Sequence, residues 1–333
     1  MLRRRKFGDL PDGTSVDVIT LGLSGGVEAQ VLTYGCVIAS LMVPDAHGAT
    51  VNVVMGFDRL ERYVDSSPYF GAVVGRYANR IAHARFAIDG REHRVSPNEP
   101  PHHLHGGFRG FDKRVWEAEL SSNGDGVVFR RTSADGEEGY PGAVHAQVRY
   151  TAADLDFQIE YEAVADAPTH VNLTQHSYFN LRGTGDVLAH CLAINASTYL
   201  PVDESMIPTG ELAPVANSPF DFQELTAIGL RLHTEHEQLK RAGGYDHTFN
   251  INRVDSTMAL AARALDPSSR RTLEVRSTEP GLQFYSGQVI GHRGFCLEPQ
   301  HYPDSPNRPR FPSTLLRPGE HYQSNTVLAF GIG

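Results

Sequence analysis

The chain has 333 residues, of which 40% are hydrophobic, and its net charge is −9. This balance argues against a general nucleic-acid or membrane-surface binder, because both depend on a basic surface. No window approaches the roughly 18 apolar residues that a membrane span requires, and no apolar segment follows the basic start, so we expect a cytoplasmic protein. The widely spaced Cys36, Cys191 and Cys296 predict reduced thiols rather than disulfides.

Alternation of apolar and polar residues, the period of a half-buried strand, recurs along the chain. Asp89-Gly90 between two such runs predicts a hairpin, and residues 152–154 predict a second hairpin link. Helices are predicted only at residues 58–64 and within residues 221–241. The predicted strands are residues 51–54, 86–88, 91–95, 127–131, 144–151, 155–163, 171–181, 258–262, 273–276 and 327–330.

No linker or fixed repeat divides residues 1–333. Many short strands separated by turns, with few helices, are typical of an all-β fold. We therefore expect one domain that forms a large antiparallel β-sandwich with few short helices.

Two polar segments lie in the first third of the chain. Residues 75–81 read G-R-Y-A-N-R-I, which indicates either a strand leading into a polar site or surface arginines. Residues 97–116 combine prolines, histidines and a double glycine in a shaped loop, and such loops often carry sites. His103 and His105 are spaced to reach one metal ion, but the Glu that a cupin adds nearby is missing, so we expect no metal.

Residues 171–181 read V-N-L-T-Q-H-S-Y-F-N-L. In a strand, Asn172, Thr174, His176 and Tyr178 share one face, because residues two apart point the same way. Such a face suits a wet pocket, although an exposed strand with a solvated histidine has the same pattern.

Two acidic residues complete the candidates. Asp246 follows Gly243-Gly244, where the backbone can approach a ligand closely, although an Asx turn explains the same residues. Glu298 lies in an apolar stretch just before Pro299, which is expected to end the strand, and such a position predicts a shifted pKa. The alternative for Glu298 is an ion pair with Arg308 or Arg310.

Taken in order, these segments resemble the aldose 1-epimerase (galactose mutarotase) family. The resemblance runs from about residue 16 to the end, and six motifs in register make it specific. A Tyr at position 77 and the residues 99–103 depart from the family pattern, which puts loop shape and sugar preference in doubt. The matching motifs are G-R-Y-A-N-R-I, L-H-G-G-F-R-G-F-D-K-R-V-W, V-N-L-T-Q-H-S-Y-F-N-L, G-G-Y-D-H-T-F, G-L-Q-F-Y-S-G and C-L-E-P-Q-H-Y-P-D-S-P-N.

The resemblance implies a galactose mutarotase-like sandwich that interconverts the α and β anomers of free aldoses such as glucose and galactose. It implies that His176 is the general acid and Glu298 the general base. It also implies no cofactor, no metal, an aldose as the small-molecule partner, and a monomer or homodimer. The sugar-binding positions that it implies are Asn79, Arg80, His105, Tyr178, Asp246 and Gln283.

The chemistry suits these two residue types. Ring opening requires a base at the C1 hydroxyl and an acid at the ring oxygen, and the roles reverse on closure. Ordinary pKa values lead us to expect an ionised Glu298 and a protonated His176 near neutral pH. Arg80 and His105 are expected to hold the sugar and stabilise charge near its ring oxygen.

Three alternatives remain open. An epimerase of hexose 6-phosphates needs a cationic cluster, to which Arg109, Lys113 and Arg114 contribute some charge. A non-catalytic lectin-like module explains the sandwich and the polar cleft. A glycosidase usually pairs two carboxylates rather than a Glu with a His.

Overall fold

The computed structural model describes residues 2–22, 25–45, 48–121 and 125–333. Strands dominate these ranges, whereas the α-helices are α1 (Leu60–Ser66) and α2 (Glu237–Ala242). None of the helices in the described ranges has the length and apolar character to cross a bilayer. The strands are β1 (Arg3–Asp9), β2 (Ser15–Gly22), β3 (Glu28–Leu32), β4 (Ile38–Pro44), β5 (Thr50–Asn52), β6 (Val73–Val74), β7 (Arg80–Ile81), β8 (Arg85–Ile88), β9 (Arg91–Arg94), β10 (His103–Leu104), β11 (Glu117–Leu120), β12 (Gly126–Ser133), β13 (Val144–Ala153), β14 (Asp156–Ala165), β15 (Thr169–His170), β16 (Thr174–Gln175), β17 (Tyr178–Phe179), β18 (Cys191–Ile194), β19 (Ala196–Tyr199), β20 (Ala213–Pro214), β21 (Thr226–Ala227), β22 (Asp246–Ile251), β23 (Ala259–Leu265), β24 (Arg271–Ser277), β25 (Gly281–Tyr285), β26 (Phe295–Gln300), β27 (Leu315–Leu316) and β28 (Tyr322–Ile332).

Three antiparallel sheets contain most of these strands. The first joins β1 to β5 in chain order. The second has nine strands in the order β11-β12-β13-β14-β28-β24-β23-β18-β21. The third has six strands in the order β17-β26-β25-β22-β19-β20, and the other strands form two-stranded pairs.

The nine-stranded and six-stranded sheets bury their apolar faces in one shared core. Phe157 and Ile159 of β14 belong to the same buried cluster as Leu282 and Phe284 of β25. Side chains of this size each contribute about 1.5–3 kcal/mol when they are fully buried. The all-β fold and the antiparallel sandwich are therefore confirmed.

The opposite face of the six-stranded sheet is polar. On this face, Glu298 of β26 lies directly opposite Gln283 of β25, and Asp246 of β22 lies opposite Tyr285. β17 pairs with the other edge of β26, which places Tyr178 beside Cys296. Four neighbouring strands thus bring polar side chains that are distant in sequence onto one surface.

Several predicted strands are confirmed, and so is the Asp89-Gly90 hairpin, because Ile88 pairs with Arg91. The second hairpin link is shorter than predicted, since Ala153 still pairs with Asp156. Within residues 221–241 one short α-helix forms, and Gly243 ends it in the left-handed conformation with φ of 66°.

Two strand predictions are wrong in detail. Residues 171–181 do not form one strand, because they contain two short strands, β16 and β17, which pair with β6 and β26. Pro299 does not end β26, which continues to Gln300. The carbonyl of Pro299 accepts from the hydroxyl of Thr174 at 2.8 Å.

Candidate active site

A cavity of about 350 Å³ opens over the polar face of the six-stranded sheet. This volume lies within the range of about 300–1,000 Å³ that is usual for small-ligand sites. All eight residues singled out in the sequence line it: Asn79, Arg80, His105, His176, Tyr178, Asp246, Gln283 and Glu298.

Two glycines let separate loops meet at one side of this cavity. Gly106 has φ of 84°, and a Cβ on it would lie 1.9 Å from the carbonyl oxygen of Gly75. Only glycine therefore allows the L-H-G-G loop to approach the G-R-Y-A-N-R-I segment so closely. Two hydrogen bonds of 3.1 Å join the two segments. The backbone N–H of His105 donates to the carbonyl of Asn79, and the backbone N–H of Asn79 donates to Nδ1 of His105.

The second of these hydrogen bonds fixes the tautomer of His105. Nδ1 accepts a hydrogen bond from the backbone N–H of Asn79, so the neutral ring carries its own proton on Nε2. Burial, and then His176 beside it, hold the pKa of His105 well below its usual range. His105 is therefore a neutral hydrogen-bond donor toward the cavity.

Arg80 is held in place by a bidentate ion pair. Its Nε and Nη2 donate to the two carboxylate oxygens of Glu99 at 2.6 and 2.7 Å. Such fork-to-fork pairs fix the plane of a guanidinium. Glu99, one of the residues that departs from the family pattern, thus orients Arg80 and neutralises its charge.

Asp246 and Gln283 form a chain of hydrogen bonds on the floor of the cavity. The hydroxyl of Thr248 donates to Oε1 of Gln283 at 2.5 Å, and Nε2 of Gln283 donates to Oδ1 of Asp246 at 2.6 Å. The chain fixes the orientation of the amide, because its oxygen and nitrogen each have a defined partner. Among the described residues, Oδ2 of Asp246 and one N–H of Gln283 have no partner within this set of hydrogen bonds, so both can bind a ligand.

His176 and Glu298 lie together in the cavity, and 3.8 Å separates Nε2 of His176 from Oε2 of Glu298. Their side chains are only 7% and 2% exposed. In the part of the chain that the structure describes, this Oε2 atom is buried without a hydrogen-bond partner. A buried oxygen of this kind is costly unless a ligand satisfies it.

Burial disfavours the charged forms of both residues. It lowers the pKa of His176 to about 4. Burial, and then the nearby charge of Asp246, hold the pKa of Glu298 well above its usual range. Both shifts favour the neutral form of each group, against the ionised Glu298 and protonated His176 that ordinary pKa values predict.

Comparison with known proteins identifies the family. The profile of the aldose 1-epimerase family matches residues 17–329. A galactose mutarotase from Rattus norvegicus is 44% identical over 99% of this chain and 98% of its own length. The chain belongs to the aldose 1-epimerase family. An aldose 1-epimerase from Escherichia coli strain K12 is 37% identical over 96% of both chains.

A solved structure agrees with this membership in the aldose 1-epimerase family. A galactose 1-epimerase from Lactobacillus acidophilus superposes with a TM-score of 0.89 at 28% identity, and the match covers 100% of both chains. The family resemblance seen in the sequence is therefore confirmed, and the fold agrees with it over the whole length.

Three details of the predicted site are wrong for this aldose 1-epimerase. Asn172 and Thr174 do not line the cavity, because their side chains are buried and donate to the backbone carbonyls of Ala78 and Pro299. The alternative ion pair of Glu298 with Arg308 fails as well, since Arg308 pairs with a different carboxylate, that of Asp304.

The metal hypothesis for His103 and His105 also fails on geometry. Both ring nitrogens of His103 are occupied, one by the carbonyl of Ser96 at 2.7 Å and the other by the hydroxyl of Tyr140 at 2.6 Å. Among the described residues, His176, Cys296 and Glu298 place possible ligand atoms within 4.8 Å of one another. Burial raises the pKa of the Cys296 thiol well above its usual range.

The sequence-based hypothesis missed other residues that line the cavity. Tyr69 stacks on His176 with ring centroids 5.7 Å apart and also contacts the ring of His105 at 4.7 Å. Tyr69 has φ of 65°, and no period or motif rule predicts such a backbone turn. The other missed lining residues are Pro68, Leu104, Met206, Arg241, Ala242, Tyr285, Gln288 and Val289.

Proposed function

We propose that this protein interconverts the α and β anomers of free aldoses, with Glu298 as general base and His176 as general acid. The observation that carries the proposal is the buried pair itself. Oε2 of Glu298 and Nε2 of His176 lie 3.8 Å apart on the cavity wall. An acid and a base at this spacing can reach the two oxygens attached to C1 of one sugar ring.

In the proposed reaction, Glu298 removes the proton from the C1 hydroxyl while His176 protonates the ring oxygen and the C1–O5 bond breaks. The open aldehyde turns about the C1–C2 bond and closes on its other face, while His176 takes back the proton from O5 and Glu298 returns its proton to O1. No electron leaves the sugar and no group is transferred. One positioned acid and one positioned base are therefore sufficient, and each typically contributes about 10²–10⁴-fold to the rate.

Burial favours the neutral forms of Glu298 and His176, whereas the reaction begins with Glu298 ionised and His176 protonated. The two forms contain the same number of protons, so they are tautomers of one pair and titrate as a pair. A sugar hydroxyl that donates to the carboxylate favours its ionised form, because a hydrogen bond to a charged group lowers its pKa. We infer that the bound sugar shifts the pair toward the reactive tautomer.

The polar groups of the cavity suit a neutral, hydroxyl-rich ring. Arg80 and Nε2 of His105 donate, Oδ2 of Asp246 accepts, and the amide of Gln283 donates from a fixed orientation. The Tyr178 ring, stacked on His176 with centroids 5.1 Å apart, offers an apolar surface to sugar C–H groups. Asn79 acts mainly through its backbone, which orients His105.

The charge in the cavity favours an unphosphorylated substrate. Among the described residues that line it, the cations are Arg80 and Arg241. Arg80 pairs with Glu99, and Arg241 pairs with two carboxylates, one of them that of Glu204 at 3.2 Å. The basic residues Arg109, Lys113 and Arg114 do not belong to the lining. A phosphate would therefore meet cations that are already neutralised.

Polarimetry tests the proposal. Fresh α-glucose should mutarotate faster with the enzyme than without it, and glucose 6-phosphate should be a much poorer substrate. Glucose, galactose, xylose and arabinose should be compared by kcat/KM to find the preferred aldose. Binding of sugar without any rate enhancement would favour the lectin-like module, and a preference for the phosphate ester would favour the hexose 6-phosphate epimerase.

A further inference from the structure

The loop that contains Glu99 is closed by several hydrogen bonds. The backbones of Glu99 and His102 exchange two of them, of 3.1 and 2.7 Å, which form a tight turn over two prolines. At the base of this turn, the side chain of Asn98 donates to the carbonyl of Leu104 and accepts from its N–H, both at 2.8 Å. The loop that departs from the family pattern therefore holds Glu99 in a fixed place beside Arg80.

Glu99 contacts Arg80 from outside the cavity. Arg80 lines the cavity with a side chain that is 12% exposed, whereas Glu99 is 37% exposed and does not belong to the lining. The carboxylate of Glu99 accepts from Nε and Nη2 of Arg80. This ion pair leaves Nη1 of the guanidinium to donate to a sugar hydroxyl.

The charge of Glu99 also acts inside the cavity. Burial raises the pKa of Asp246, the charge of Arg80 and a hydrogen bond from Gln283 lower it, and the charge of Glu99 raises it again. Because Asp246 lines the cavity, Glu99 opposes the charge of Arg80 at the surface where a sugar is expected to bind. Arg80 itself keeps its proton, since Glu99 and then Asp246 raise its pKa although burial lowers it.

We propose that Glu99 is a specificity-determining residue: it neutralises Arg80, so that the cavity accepts uncharged aldoses and rejects aldoses that carry a carboxylate, such as hexuronates. This inference rests on the proposed function. An unpaired guanidinium binds a carboxylate through two parallel hydrogen bonds, but Glu99 already occupies that edge of Arg80. A hexuronate would therefore bring a third negative charge close to Glu99 and Asp246, and like charges in a binding site exclude the wrong ligand.

Two substitutions of Glu99 separate its charge from its length. Glu99→Gln keeps the length and removes the charge. In this variant the ratio of kcat/KM for galacturonate to kcat/KM for galactose should rise by about 10-fold or more, the size of one hydrogen bond to a charged group. Acetate should also become a competitive inhibitor of galactose mutarotation, which it should not be in wild type. Glu99→Asp keeps the charge and should keep the wild-type ratio within about threefold.

Glu204→Gln is the matched control. It removes a negative charge beside Arg241, the other arginine that lines the cavity. Arg241 still donates to the carboxylate of Glu237 and to the carbonyl of Val202. The galacturonate-to-galactose ratio and the effect of acetate should therefore be those of wild type.

Polarimetry near pH 7, where the carboxyl group of galacturonate is ionised, supplies all of these rates. A gain of carboxylate recognition is not produced by damage to the fold, so it distinguishes a role in specificity from a merely structural one. An unchanged ratio in Glu99→Gln overturns the inference. Equal kcat/KM for galacturonate and galactose in wild type also overturns it, and this comparison needs no variant. Absence of galactose mutarotation in wild type would instead refute the proposed function.

Discussion

Replacing Asp246 with Asn tests both the binding role of this carboxylate and its effect on Glu298. Asp246 accepts from Gln283 at 2.6 Å, and an Asn oxygen can keep that hydrogen bond. The change removes the negative charge and places an N–H₂ group where a sugar hydroxyl is expected to donate. The fold should therefore survive while the binding site loses its charged acceptor.

The expected rise in KM follows from the hydrogen bond to a charged group that the variant loses. A hydrogen bond to a charged group is worth about 1.5–3 kcal/mol, which corresponds to a rise in KM of about 10- to 150-fold. If the contact is the same in the ground and transition states, kcat changes little. The charge of Asp246 also raises the pKa of Glu298, second only to burial. In the variant the alkaline limb of kcat/KM should therefore move to lower pH.

The assay is polarimetry over a range of sugar concentrations and pH values, with wild type measured beside the variant. Unchanged KM together with an unchanged alkaline limb would show that Asp246 serves only as an acceptor for Gln283. A loss of kcat larger than about 100-fold at constant KM would be the size expected for loss of a general base, and would make Asp246 rather than Glu298 that base.

Four further predictions use other groups. Glu298→Gln should lower kcat by about 10²–10⁴-fold and abolish the alkaline limb of the pH profile, and a folded variant with near-normal kcat would show that the base is misassigned. In wild type, kcat/KM should rise as pH increases through about 4, the lowered pKa of His176, and fall as pH increases through the raised pKa of Glu298. Changing the buried Glu279, which contacts Nδ1 of His301 at 2.6 Å, to Gln should cost about 3–5 kcal/mol of unfolding free energy. Despite burial, the pair raises the pKa of His301 and lowers that of Glu279, so its contribution is largest between the two pKa values and is lost as pH rises through the first or falls through the second. A chemical-denaturation series that shows the same pH dependence in both proteins would contradict this. Activity should persist in EDTA, because the reaction needs only proton transfers, and a loss that a divalent metal restores would contradict the mechanism.

The sheets were predictable because the alternation of apolar and polar residues along a strand is a local pattern. Period-two patterns such as residues 144–151 and 155–163 place one face in the core, and β13 and β14 follow them closely. The segment 171–181 was not predictable, since each of its short strands pairs with a partner that is distant in sequence. Strand pairing of that kind depends on the assembled fold rather than on local periodicity.

Some features of the active site were also predictable from the sequence, and others were not. The family motifs indicated eight residues that the structure brings to one cavity, although their roles remain proposals. The pKa shifts of His176 and Glu298 were not predictable, because they depend on burial by groups elsewhere in the chain. The position of Cys296 had a usable signal, since a residue two before Glu298 in a strand must share its face.

The last strand in chain order, β28, lies between β14 and β24 in the middle of the nine-stranded sheet. It pairs with both neighbours, and the hydroxyl of its Tyr322 accepts from the backbone N–H of Leu173. Until a ribosome has synthesised residues 322–332, β14 and β24 each lack a partner on one side. Nascent chains at that stage expose two unpaired strand edges, which are templates for association with other chains. For this enzyme the vulnerable moment of biogenesis therefore comes late, and protection by chaperones should matter most just before the sheet is closed.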